Sequence, residues 1–347
     1  MRRDAARLAR PLAVTIGEPA GIGIDITLMA WLQRREHDLS PFYLIGDAAY
    51  LTKRAALLGY DVNVEEVEPA SAANVFEHSL PVVPLSLKVT ATPGEPDATS
   101  GPAAIASIRR AVDDVLHDRC AAIVTNPIAK NVVYGSGFTD PGHTEFLAKL
   151  AQEATGKPTR AVMMLWSPDL AVIPVTIHIP IQDVPRQLTT TLIVETGRIA
   201  ARELATRFGV ARPRLALSGL NPHAGESGSI GTEERDVIAP AIAQLSAEGI
   251  DVRGPLPADT MFHEAARATY DAALCMYHDQ ALIPVKMLAF DSAVNVTLGL
   301  PFVRTSPDHG TAFDIAGTGR ASPGSLIAAL TLAARLAART PALTPAH

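Results

Sequence analysis

Three histidines each follow a short apolar run. His178 ends Val172-Ile173-Pro174-Val175-Thr176-Ile177, His223 comes soon after Leu215-Ala216-Leu217-Ser218-Gly219-Leu220, and His278 closes Ala272-Ala273-Leu274-Cys275-Met276-Tyr277. Such runs read as buried strands, and open α/β sheets collect ligands at the carboxyl ends of their strands. Three neutral imidazoles gathered there would suit a divalent metal with an open coordination position. Each alone reads as an ordinary loop or core histidine; the same context repeated three times points to metal.

Other residues could hold an anion or move a proton. Lys286 and Arg304 stand beside apolar segments, Ile283-Pro284-Val285 and Leu300-Pro301-Phe302-Val303, and Asn295 lies between them. A buried cation needs an anion, and a guanidinium suits planar oxyanions. The partner would be a phosphate or carboxylate of a ligand, or an internal salt bridge to Asp279, Asp291 or Asp308. Asp259, flanked by Pro257-Ala258, reads either as a buried carboxylate that takes a proton near a metal or as a helix N-cap. In Pro141-Gly142-His143-Thr144-Glu145, His143 and Thr144 would contact an anionic or hydroxylated substrate, or serve as a loop residue and an N-cap. Thr305 to Gly317 is the densest polar and glycine segment and reads as a structured loop whose backbone could approach a ligand. Gly17-Glu18-Pro19-Ala20-Gly21-Ile22-Gly23 fits neither the dinucleotide nor the Walker spacing and reads as a tight strand-to-helix turn.

The elements that would position these residues alternate between strand and helix. Strands are expected at 12–16, 42–45, 121–124, 214–220, 272–277 and 294–298, and a hairpin joins 161–165 to 171–177 through Ser167-Pro168-Asp169. Helices are expected after Gly23, with Ile24, Leu28, Trp31 and Leu32 on one face, and from Ser100-Gly101-Pro102, with Ile105, Ile108, Val112 and Val115 facing inward. Another is expected over 324–340, before a frayed tail at 341–347. The stretch 66–78 reads as a surface excursion. This order argues an α/β layered fold.

The chain has 347 residues, 48% hydrophobic and 19% charged, enough for a large core and two lobes. A net charge of −6 argues against nonspecific nucleic-acid binding. The two cysteines, Cys120 and Cys275, sit beside apolar runs and read as buried thiols rather than a disulfide. The basic N-terminus is followed by too short an apolar stretch for a signal peptide, and no segment has the length of a membrane span. A cytoplasmic location is expected.

The blocks GEPAGIG, VTNPIAK, PGHTEFLA, VTIHIP, LNPHAGE, GPLPADTMF, MYHDQALIPVK and NVTLGLPFVRTSPDHGTAFDIAGTG, from residue 17 to about 319, resemble the 4-hydroxythreonine-4-phosphate dehydrogenase family of vitamin B6 biosynthesis. The last block is also similar to the cofactor loop of isocitrate and isopropylmalate dehydrogenases. The resemblance implies a two-lobed α/β/α architecture of that type with a cleft between lobes. The first lobe would be residues 1–130 with 320–347. The second, 131–319, would carry metal, substrate and dimer contacts. It implies His178, His223 and His278 as ligands of one divalent metal (zinc, magnesium or cobalt), one of them donated across a homodimer, with His278 the donated one. His143, Thr144, Lys286, Asn295 and Arg304 would contact substrate. His309, Gly310, Thr311 and Asp314 would bind NAD or NADP, and Lys286 or Asp259 would be the base. The family usually has Pro-Glu after Gly23; Ile24-Asp25 stands here, a departure in the first helical turn.

The implied reaction is oxidation of 4-phosphooxy-L-threonine to 2-amino-3-oxo-4-phosphooxybutanoate, which decarboxylates to 3-amino-2-oxopropyl phosphate. Relatives that oxidise other phosphorylated hydroxy acids, of the threonate or erythronate 4-phosphate type, make a sister substrate the nearest alternative. A metal-dependent hydrolase and a noncatalytic metabolite sensor are more distant ones.

Overall fold

The computed structural model describes residues 10–140 and 142–340. The N-terminal basic stretch, Pro141 and the tail expected to fray lie outside the described residues. The strands are β1 (Leu12–Thr15), β2 (Phe42–Gly46), β3 (Val64–Glu66), β4 (Leu80–Pro84), β5 (Ile123–Thr125), β6 (Val162–Trp166), β7 (Ala171–Pro174), β8 (Arg214–Ser218), β9 (Asp251–Leu256), β10 (Ala272–Cys275), β11 (Val294–Leu298) and β12 (Arg304–Pro307). The helices used below are α1 (Gly23–Leu32), α2 (Ser100–Leu116), α3 (His143–Thr155), α4 (Thr190–Thr206), α5 (His278–Ala289) and α6 (Gly324–Arg339).

The chain forms two compact units, one of Met1–Ala161 with Leu300–His347 and one of Val162–Gly299. These limits differ from those expected from the resemblance. The segments 131–161 and 300–319 belong with the first unit because α3 packs on α2 and β12 pairs with β5. His143, Thr144, Arg304 and the loop at 309–314 therefore fall in the first unit, not the second.

In the first unit the strands lie side by side in the order β3-β4-β2-β1-β5-β12, all parallel. Parallel strands are covered on both faces, so they read as unbroken apolar runs. Leu12, Ala13, Val14, Phe42, Tyr43, Leu44 and Ile45 are all buried. The apolar stripe of α2 packs into this core through Ile108, Val112 and Val115. Helix α1 is buried nearly all round from Gly23 to Leu28, with Leu32 exposed. The supposed excursion at 66–78 holds a short helix, Ala72–Val75. Phe76 packs edge-on against Phe42 at 5.0 Å, so this stretch is tied into the core.

In the second unit the order is β11-β6-β7-β10-β8-β9. β6 and β7 form the expected hairpin, closed by Ser167 N donating to Leu170 O at 3.0 Å. β11 is antiparallel to β6, whereas β7, β10, β8 and β9 run parallel. Cys120 and Cys275 are both buried and free. No helix among the described residues is long and apolar enough to cross a membrane.

Candidate active site

Parallel neighbours point their carboxyl ends the same way. β7, β10 and β8 are adjacent and parallel, and His178, His278 and His223 each follow the carboxyl end of one of them. Two of the three meet. The rings of His178 and His278 have centroids 5.6 Å apart and line a cavity of about 240 Å³ with Thr176, Ile181, Val184 and Tyr277. His223 is exposed and outside that cavity. Among the described residues no group of three ligating side chains is preassembled. The pair within one chain is thus His178 with His278, where the resemblance would make His278 the donated ligand.

The pair has the chemistry of metal ligands. Two imidazoles bonded to one tetrahedral ion at about 2.1 Å would hold their centroids roughly 5 Å apart. Nδ1 of His278 lies 2.7 Å from Oδ1 of Asp279. A carboxylate on one ring nitrogen fixes the tautomer and leaves the other nitrogen as the electron donor, the usual support for a ligating histidine. His178 and His223 both hold left-handed backbone, with φ of 50° and 52°. Non-glycine residues rarely adopt it, and such strain gathers at functional positions.

Lys286 lies on α5, half-buried, its Nζ 5.7 Å from the centre of the Phe290 ring. Asn295 is half-buried in β11, opposite Leu165. Asp259 is a correction. It is exposed in a turn closed by Thr260 N donating to Pro257 O, and is neither a buried carboxylate nor a helix cap.

The first unit assembles the anion-binding residues. Arg304 is 4% exposed, and its Nε and Nη2 donate to Thr125 Oγ1 at 3.1 and 2.6 Å. Burial pushes its pKa down to about 10, still charged at neutral pH. Burial, and then the Arg304 charge, holds His143 well below the usual histidine range, so its ring is neutral. His143 Nε2 is buried without a hydrogen-bond partner. A charged guanidinium beside an unsatisfied imidazole nitrogen is a cradle for an oxyanion. Thr144 sits in the first turn of α3, whose N-cap is Gly142, so its hydroxyl is not the cap.

The segment read as a polar loop from Thr305 begins instead as β12, whose residues are all buried. The loop proper docks on α1. Thr311 O accepts from Ile22 N at 3.0 Å, and a side chain at Gly21 would meet that carbonyl at 2.8 Å. Gly317 N donates to Asp25 Oδ2 at 2.6 Å, and the other Asp25 oxygen pairs with buried Arg54. The departure Ile24-Asp25 therefore carries an anchor of this loop. His309 Nε2 is buried without a partner, while Nδ1 lies 3.0 Å from Gly310 O. Sequence reasoning missed Thr125, although VTNP carries it, and offered Asp279 as a salt-bridge partner of Lys286 or Arg304 rather than as the carboxylate beside the His278 ring.

An α/β protein with paired imidazoles at parallel strand ends in one unit, and a buried guanidinium cradle with a glycine-bearing loop in the other, is built as an enzyme for a small anionic substrate. The chain belongs to the family of the pyridoxal phosphate biosynthetic protein PdxA, whose pattern matches residues 38–333. It is 62% identical to a 4-hydroxythreonine-4-phosphate dehydrogenase of Bradyrhizobium diazoefficiens, over 95% of this chain and 98% of that one. The crystal structure of the Klebsiella pneumoniae 4-hydroxythreonine-4-phosphate dehydrogenase is similar with a TM-score of 0.84 and 39% identity, covering 94% of this chain and 99% of that one. A terephthalate 1,2-cis-dihydrodiol dehydrogenase from Burkholderia xenovorans LB400 is similar at 28% identity and a TM-score of 0.63, covering 94% and 98%.

Proposed function

We propose that the chain oxidises 4-phosphooxy-L-threonine with NAD or NADP, in pyridoxal 5'-phosphate biosynthesis. The product, 2-amino-3-oxo-4-phosphooxybutanoate, decarboxylates to 3-amino-2-oxopropyl phosphate. The observation that carries this reading is full-length identity of 62% to a relative named for that activity. The diol dehydrogenase is far less similar, at 28%. The buried guanidinium of Arg304 suits a phosphate, and it would suit the carboxylates of a terephthalate-derived diol as well, so the choice of a phosphorylated substrate rests on the identity.

Arg304, oriented by Thr125, would clamp the phosphate, with His143 and Thr144 as further hydrogen-bonding groups. The neutral His143 ring can donate or accept, according to its tautomer. His178, His223 and His278 would hold one divalent cation (zinc, magnesium or cobalt), with one ring supplied by a second copy of the chain. His309, Gly310, Thr311 and Asp314 would hold the nucleotide, and Asn295 would contact substrate. When bound, the cation polarises the substrate hydroxyl and the nicotinamide accepts the hydride. Lys286 is the better proton acceptor of the two expected, because Asp259 faces solvent.

The second copy has a surface to meet. Ile283, Met287 and Phe290 are 67%, 79% and 75% exposed at helical spacing along the helix that starts at His278. An apolar stripe of that kind on a soluble enzyme marks an interface. The homodimer would share its sites across it. We assign the enzyme to the cytoplasm, where thiols such as Cys120 and Cys275 stay reduced.

The test is nucleotide reduction, followed by absorbance, with 4-phosphooxy-L-threonine, threonate 4-phosphate and erythronate 4-phosphate, each with NAD or NADP and with a divalent metal or a chelator. Preference for the first substrate, lost on chelation, is expected. Turnover without nicotinamide, or preference for a sugar acid, overturns the reading. Arg304→Ala should raise KM for the phosphorylated substrate by about ten- to a hundredfold and leave KM for the nucleotide nearly unchanged. Equal effects on both would make Arg304 structural.

A further inference from the structure

Gly17 to Gly23 form a turn that lies against the loop proposed to hold the nucleotide, and one buried ion pair joins the two. Arg54, on the helix Ala48–Leu58, is 2% exposed, and Asp25, in the first turn of α1, is fully buried. Arg54 Nη1 pairs with Asp25 Oδ1 and donates to Gly21 O at 3.3 Å. Its Nη2 donates to Pro19 O at 2.8 Å and to Tyr50 Oη at 3.2 Å, and the Tyr50 hydroxyl donates in turn to Pro19 O at 3.1 Å. One guanidinium therefore holds two carbonyls of the turn and one carboxylate oxygen. The other oxygen, Asp25 Oδ2, accepts from Gly317 N at 2.6 Å. Three segments far apart in sequence meet at this pair, all within the first unit.

The loop is held from its other side as well. Gly317 has a φ of 71°, and a Cβ there would meet Pro93 Cβ at 2.7 Å. A Cβ at Gly94 would meet Phe313 O at 3.0 Å, while Gly94 N donates to Ala20 O at 2.8 Å. The loop is thus seated between the turn and the segment 93–94. A fully buried ion pair gains little net stability over apolar side chains of the same volume; what it can add is a fixed position. Resting on the nucleotide reading above, we infer that Asp25 and Arg54 are positioning residues for the nucleotide, which lock the turn 17–23 and the loop 309–317 into one wall and so set nucleotide affinity. They act through the backbone at Pro19, Gly21 and Gly317 and not on the nucleotide.

The test is binding of NADH and NADPH to the full-length protein, read by nicotinamide fluorescence, beside steady-state kinetics and the thermal midpoint. Arg54→Met fills the volume but leaves Asp25, Pro19 O and Gly21 O without their donor, and should weaken nucleotide binding about ten- to a hundredfold. Asp25→Asn keeps an acceptor but loses the charge, and should weaken it about three- to tenfold. KM for the nucleotide should rise in step, with kcat at saturating nucleotide and KM for 4-phosphooxy-L-threonine changed less than about twofold. Tyr50→Phe removes one brace of Arg54 and Pro19 and should weaken nucleotide binding about two- to fivefold; it decides the matter if the ion-pair variants do not fold. A lower thermal midpoint with unchanged nucleotide affinity in the folded variants, or unchanged affinity in Tyr50→Phe where it is decisive, overturns this inference alone and makes the pair merely structural. Equal rises in both KM values overturn it too. If the wild type binds neither nucleotide, or binds it as well after Asp314→Ala, the nucleotide reading falls and this inference falls with it.

Discussion

His143 takes its chemistry from its surroundings. Burial, then the Arg304 charge, lowers its pKa well below the usual value, so the folded protein keeps the ring neutral where the unfolded chain protonates it. The unfolded value is about 6.5. As pH falls below about 6.5 the unfolded state binds a proton that the folded state does not, so stability declines until the folded pKa is reached. Above that window the group contributes nothing to the pH dependence. His143→Gln should therefore lose less stability between pH 7 and pH 5 than the wild type does, measured as urea midpoints at each pH. Parallel curves would mean that the native ring titrates normally. The residue types behind this cradle were readable from sequence, because Arg304 and His143 sit in apolar or glycine-bearing contexts that a solvated charge rarely has. Asp259 misled for the same reason. Its neighbours Pro257 and Ala258 are half-buried, yet the turn carries the carboxylate outward.

Among the elements, the connection after β8 is the least regular. His223, Ala224, Gly225, Glu226 and Ser227 all have left-handed φ, between 42° and 76°. Each non-glycine residue there costs about 1–2 kcal/mol, so other groups must hold the turn. Glu234, 6% exposed, does so: its Oε1 accepts from Leu220 N and Asn221 N at 2.7 Å each, and its Oε2 accepts from Asn221 Nδ2 at 3.0 Å. Glu234→Ala should destabilise by at least about 2 kcal/mol in chemical denaturation, since two backbone donors lose a charged acceptor. Gly225→Ala should act in the same direction, because its Cβ would lie 2.5 Å from Glu234 Oε2. A Glu234→Ala change within about 0.5 kcal/mol of the wild type would show that the turn holds without it. The apolar strands were legible because both faces of a parallel sheet are covered. β12 was not: Arg304-Thr305-Ser306-Pro307 is polar, and its burial is balanced by bonds such as Thr305 Oγ1 to Ala329 O at 2.9 Å, a partner distant in sequence.

At the scale of the whole molecule the chemistry is divided, with the anion cradle and glycine-bearing loop in one unit and the paired imidazoles in the other. In the second unit a single chain pairs His178 with His278 and leaves His223 outside their cavity, while the same helix that begins at His278 presents Ile283, Met287 and Phe290 to solvent. On the proposed metal reading, the incomplete ligand set and the uncovered apolar stripe on one element would have a common remedy in a second copy. If so, association and metal affinity are linked: the dimer binds the cation better than the monomer, and the cation favours the dimer by the same free energy. Met287→Glu combined with Phe290→Glu places two like charges in that interface while touching no proposed ligand. Sedimentation should report a monomer for this variant, with unchanged far-ultraviolet circular dichroism and with turnover lost together with the dimer. Adding a divalent metal to dilute wild-type protein should shift it toward dimer, and a chelator should reverse the shift. A double variant that stays dimeric and active would remove the stripe from the interface, and a wild-type dimer indifferent to metal would break the linkage between assembly and the shared site.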